Sequence, residues 1–98
     1  MIGFVGTDED YVKQASVRFL EMLKRAASGS YGDLPLRVLG PSPAQISKVM
    51  GKYRYKLIIK CRLSSRFREL ISHLLREIGG KKEFREVTAY ADINPTGG

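Results

Sequence analysis

"KYRYKLIIKCR", residues 52–62, alternates between two kinds of residue. Lys52, Arg54, Lys56, Lys60 and Arg62 share one parity; Tyr53, Tyr55, Leu57, Ile59 and Cys61 share the other. Successive side chains of a strand point to opposite faces. The segment therefore predicts a strand with one greasy face and one face carrying a row of positive charges. Ile58 interrupts that row, which hints that part of the charged face is covered.

Working outward, "LSSRF" turns the chain into a helix, with Ser64 or Ser65 as its cap. Phe67, Leu70, Ile71, Leu74, Leu75 and Ile78 form its apolar stripe, and Gly79 and Gly80 end it. Upstream, "LPLRVLG" predicts a strand over about 35–40 with Pro35 at its start. "PSPAQISKVMG" predicts a short helix, with Ser42 as cap, Pro43 at the first position, Ile46, Val49 and Met50 on one face, and Gly51 as its end.

The two ends of the chain complete the pattern. "IGFVG", 2–6, reads as a strand. Thr7 suits a helix cap, with Asp10 reaching back to it, and Asp8, Glu9 and Asp10 favour the positive end of the helix dipole. Val12, Ala15, Phe19, Leu23 and Ala26 then recur at helical spacing until "SGSYGD", 28–33, stops the helix. "KKE" reads as a solvated loop, and "FREVTAYADI", 84–93, as a last strand. Strand, helix, strand, strand, helix, strand is the α+β ferredoxin-like split β-α-β pattern (βαββαβ). It implies a four-stranded antiparallel sheet in the order fourth, first, third, second, with two helices on one face. The charged strand is then central, and its cations point away from the helices.

Length fits one domain over residues 1–98. The chain holds 17 basic and 10 acidic residues, a formal charge of +7, which favours an anionic partner. One cysteine, Cys61, cannot make an internal disulfide or a cysteine zinc cluster, and its parity predicts a buried, inert thiol. No apolar run approaches the roughly 18 residues of a membrane span. With no signal peptide, the sequence suits the cytoplasm and no membrane partner.

No catalytic or metal-binding constellation emerges. His73 is the only histidine, on the second helix beside its apolar stripe, without a cysteine or serine partner for nucleophilic work. Glu69 and Glu77 are explained by helical pairing with Arg66, Arg68 and Arg76. Neither GxGxxG nor GxxxxGK[ST] occurs, so this segment itself predicts no enzyme activity and no cofactor.

The basic strand carries the functional signal. Side chains two residues apart on one face stand about 6.6 Å apart, an interval that can follow a sugar-phosphate backbone. Lys52, Arg54, Lys56, Lys60 and Arg62 are the candidate DNA contacts. Neutralising about four or five phosphates gives a salt slope near −3 on single strands. The alternatives are a face docked on another domain or protein, and a solvated outer surface. RNA recognition motifs stack bases on exposed aromatics of this same face. Here Tyr53 and Tyr55 have core parity, which leaves Tyr90 as the candidate base-stacking residue. Backbone contact is thus favoured over sequence reading.

"VLGPSPAQISKVMGKYRYKLIIK", 38–60, resembles the C-terminal domain of the primosomal replication-restart helicase family, PriA or primosomal protein N′. The matching features are Gly40, Pro41, Pro43 and Ala44; then Gly51, Lys52, Tyr53 and Arg54; then Leu57 to Lys60. "ADINP", 91–95, resembles the family's closing segment, with Asn94 where Asp is commoner. The resemblance implies a non-catalytic C-terminal accessory domain of a larger ATP-driven 3′-to-5′ DNA helicase. ATP, Mg and Zn would belong to upstream domains. The implied partners are single-stranded or branched DNA, the upstream helicase domains, and the acidic tail of single-stranded DNA-binding protein. For that tail the resemblance points to Arg66, with Arg62 and Arg68 as neighbours.

Overall fold

The computed structural model describes residues 1–92, apart from the side chains of residues 45–47 and 49. Its elements are β1 (Ile2–Gly6), α1 (Glu9–Ala27), β2 (Arg37–Val49), β3 (Lys52–Lys60), α2 (Ser65–Gly79), a 3-10 turn (Lys82–Phe84) and β4 (Thr88–Ala91). The strands form one sheet in the order β2-β3-β1-β4, and all three neighbouring pairs are antiparallel. This is the expected ferredoxin-like arrangement, with β3 inside the sheet.

The period-2 pattern explains the two faces. Ile2, Phe4, Tyr55 and Leu57 are buried on one side of the paired β1 and β3 strands. They join a single core with Val12, Ala15, Phe19 and Leu23 of α1 and Phe67, Leu70, Ile71, Leu74 and Ile78 of α2. Phe4 meets Phe19 edge to face at 5.7 Å, a favoured aromatic geometry. The other parity, including Gly3, Val5, Arg54, Lys56 and Ile58, forms the face opposite the helices. Among the described residues Ser16 is the buried polar exception, and its hydroxyl donates to the Lys13 carbonyl at 2.6 Å.

The helix starts follow their caps. Asp8, rather than Thr7, caps α1, accepting from the Tyr11 amide at 3.2 Å. Its extended backbone, followed by Glu9 and Asp10 in the first turn, moves the start one residue along. Ser64 caps α2, accepting from the Phe67 amide at 3.1 Å.

The segment 42–51 departs from the helix expectation. It is extended, and β2 continues through it to Val49. Proline disfavours helical backbone at the residue before it, so Pro41 and Pro43 hold Gly40 and Ser42 out of the helix. Because β2 is an edge strand, it tolerates the missing proline donors. The register shifts between Leu39 and Ser42 and again between Pro43 and Lys48, absorbing the extra residues as bulges. Gly51 does not end a helix. With Met50 it makes the two-residue turn between β2 and β3, at φ values of 79° and 52°. Two positive φ values match the twist of a hairpin, and Met50 stands 94% exposed at its tip.

Two other boundaries differ. Strand β3 stops at Lys60, so Arg62 lies in the connection to α2. The last strand is shorter than expected, because residues 82–87 form the 3-10 turn and a further turn that buries Phe84. The expected strand residue Ile93 and the Asn94 and Pro95 positions lie outside the described residues.

Candidate nucleic-acid interface

Strand pairing assembles the open face row by row, since directly opposed residues share a face. Arg37 of β2 lies opposite Lys60, and Leu39 opposite Ile58. Ser42 and Gly3 flank Lys56 on either side, and Tyr90 lies beyond Gly3. Val5 separates Arg54 from Thr88. The β3 cations thus lie along the middle of the face. Lys52 and Lys60 are exposed at its ends, while Arg54 and Lys56 are half-buried between neighbours. Arg62, beyond the strand, is exposed in the connection and does not extend the row in register.

Arg37 is a cation that residue spacing in β3 could not reveal. Its place depends on the β2–β3 register, though its own alternation with Val38 carried a hint. The interruption at Ile58 becomes a local apolar band, because Leu39 across from it is 49% exposed.

Tyr90 projects across the sheet. Strand side chains ordinarily stand roughly perpendicular to it. Here the phenol end occupies the space that a side chain at position 3 would fill: a Cβ on Gly3 would lie 2.3 Å from Tyr90 Cζ. Beyond Gly3, Arg54 Nη2 donates to the Tyr90 hydroxyl at 3.3 Å. One aromatic ring therefore joins β4, β1 and β3 on the open side. Tyr55 points the other way, and its hydroxyl donates to Glu9 Oε2 at 3.2 Å at the start of α1. Desolvation, followed by the Glu9 charge, pushes the Tyr55 phenol up from its ordinary value. Tyr53 also keeps core parity but is only half-buried, and Lys48 Nζ lies 5.1 Å from its ring centroid. Cys61 packs at the margin of the core, where burial pushes its thiol up and away from the reactive thiolate.

A second basic site lies at the start of α2. Arg66 stacks over Tyr31 at 4.3 Å and pairs with Asp33 Oδ1 at 3.0 Å. It also donates to the Ser30 carbonyl. Tyr31 in turn donates to Glu69 Oε1 at 3.2 Å. The expected helical pairing of Glu69 and Arg66 is therefore replaced by contacts with the 28–33 turn. The first turn of α2 carries no acidic residue, and Asp33, from the 28–33 turn, is the anionic partner of Arg66. The Arg66 hydrogen bond is the main reason the Asp33 carboxyl sits below its ordinary value. Arg68 is exposed on the same helix. His73 is exposed as well, with Nε2 3.6 Å from Glu77 Oε2.

Near Lys52, a cavity of about 320 Å³ is lined by Val5, Gly6, Thr7, Glu86 and Thr88. Among the described residues, no helix is long and apolar enough to cross a membrane.

The sheet and its basic open face define a ferredoxin-like α+β domain with a surface suited to anionic partners. The family model of the primosomal protein N C-terminal domain matches residues 1–96, and the chain belongs to that family. Membership supports a primosomal role in replication restart.

Proposed function

We propose that this chain is a DNA-contacting accessory domain of a replication-restart DNA helicase, acting in the cytoplasm. The motor, with its ATP, Mg and Zn, lies in other domains of the parent protein. DNA lies on the open face, with phosphates held by Lys52, Arg54, Lys56 and Lys60, and Arg62 acting from the connection. The observation that carries this is the sidedness of β3. Tyr55 and Leu57 close the core on one side, while Arg54, Lys56 and Lys60 occupy the other. Folding needs the first set; nothing in the core requires the second.

Fluorescence anisotropy with a labelled oligonucleotide at low salt tests the assignment. Reversing Arg54, Lys56 and Lys60 to Glu should weaken binding steeply and flatten the salt slope by about 2, since each single-strand phosphate contact contributes about 0.7. Unchanged affinity removes this role from the strand.

A second role is supported by the Arg66 geometry. The Asp33 carboxylate pairs with the Arg66 guanidinium at 3.0 Å, which supports Arg66 as a contact for a carboxylate. Arg66, with Arg62 and Arg68 as neighbours, is the proposed contact for the acidic tail of single-stranded DNA-binding protein. NMR titration with an acidic, Phe-ending peptide should shift amides near the start of α2. An unperturbed spectrum rejects this second role without touching the first.

A further inference from the structure

We infer that Tyr90, Gly3 and Arg54 form a shelf for one unpaired nucleobase, so that the open face prefers single-stranded over duplex DNA. The inference rests on the DNA-contacting assignment of that face and adds which form of DNA it takes. Three observations carry it. First, the Tyr90 side chain crosses β1 and is not directed straight out from β4: its phenol end fills the place of a Gly3 side chain. Second, Arg54 holds the hydroxyl at 3.3 Å, fixing the ring from the far strand. Third, the next cation along β3, Lys56, lies directly opposite Gly3. A half-buried aromatic ring is therefore set over β1 on the side opposite the helices, touching Arg54 of β3, with Lys56 of the same strand opposite Gly3.

Glycine inside a strand weakens it, and its presence often marks a close approach. At position 3 the approaching group is the Tyr90 ring. That pairing also contributes to sheet packing, so the test must separate packing from base contact. Base–aromatic stacking tolerates any sequence, because every base has a flat face. Bases in a duplex already stack on one another and offer no face to a ring lying on a sheet. An unpaired base does. Arg54 and Lys56 can hold the phosphates on either side.

The experiment compares a labelled oligo-dT strand with a labelled duplex of equal length, by anisotropy. Tyr90→Leu keeps an apolar cover over Gly3 but removes the ring. Gly3→Ala keeps Tyr90 and every cation but forces the ring off the shelf. Both should lose about tenfold in single-strand affinity, within the range measured for base–aromatic stacking, with duplex affinity changed less than about twofold. Ultraviolet crosslinking to oligo-dT should mark Tyr90 in the unaltered chain. Equal loss on both DNA forms, or loss of thermal stability with single-strand affinity retained, makes Tyr90 a packing residue and overturns the shelf. If Gly3→Ala does not fold, Tyr90→Leu and the crosslink decide. Charge-dependent DNA binding that ignores Tyr90 rejects the shelf alone. No binding to either DNA by the unaltered chain rejects the DNA-contacting assignment as well.

Discussion

The two sides of β3 obey different constraints although they alternate along one backbone. On the helix side, Leu57 is fully buried and Tyr55 is 8% exposed. Each fills a place in the core that no other residue occupies. On the open side, Arg54 and Lys56 are half-buried and Lys60 is exposed. Side chains of the first kind are fixed by packing. Those of the second lie outside the core, where only Arg54 among the β3 cations has a described side-chain hydrogen bond, to Tyr90, so a cation at almost every available position calls for an explanation outside the fold.

The contrast can be broken most severely from the core side. Leu57→Ala should destabilise the domain by about 2–5 kcal/mol, the range for a buried leucine lost from a core, read as a lower urea midpoint. Effects from the open side should be smaller. Reversing Arg54, Lys56 and Lys60 together should change stability by no more than about 1.5 kcal/mol, as expected for three substitutions away from a core. A cost equal to that of Leu57→Ala would mean that the cations brace the sheet, and their assignment to a partner would lose its basis.

The smallest effect concerns the Arg66 corner, which sharpens the contrast by offering a cation already matched within the chain. The Asp33 carboxyl lies below its ordinary value of 3.8, chiefly through the Arg66 hydrogen bond. A lowered carboxyl adds stability above the ordinary value and loses it as pH falls through the lowered one. Asp33→Asn should therefore be slightly less stable than the native chain near neutral pH. The difference should close as pH drops below 3.8. Paired urea melts across that range check the sign; a gap that widens on acidification contradicts the Arg66–Asp33 pairing. Exposure of both side chains keeps the effect modest.

Much of this was legible in the chain. The alternation at 52–60 and the stripe from Phe67 to Ile78 each repeat often enough to fix element type and buried face, and together they order the sheet. What resisted reading depended on contacts between distant segments. Residues 42–51 carry a helix-like spacing of apolar positions and a plausible cap. Their pairing with β3 overrides it, and the prolines favour the extended form. Arg37 joins the basic face only through the β2–β3 register. Tyr90 was visible as an aromatic on the open parity, but Gly3 read as an unremarkable strand residue. Their meeting 87 positions apart, with Arg54 beyond, exists only once β1 stands between β3 and β4. Arg66 was legible as a basic residue near a helix start, whereas its partners Tyr31 and Asp33 lie in a turn that the sequence marks merely as a break.

The central claim is that the side of β3 turned from the helices is the one that meets DNA. Amide and side-chain NMR shifts on titration with oligo-dT test it most directly. The predicted result is a set of shifts along Lys52, Arg54 and Lys56, continuing through Gly3 and Tyr90, while the outer surfaces of α1 and α2 stay unchanged. Shifts confined to the helices or to the Arg66 corner, with the β3 cations unmoved, would contradict it.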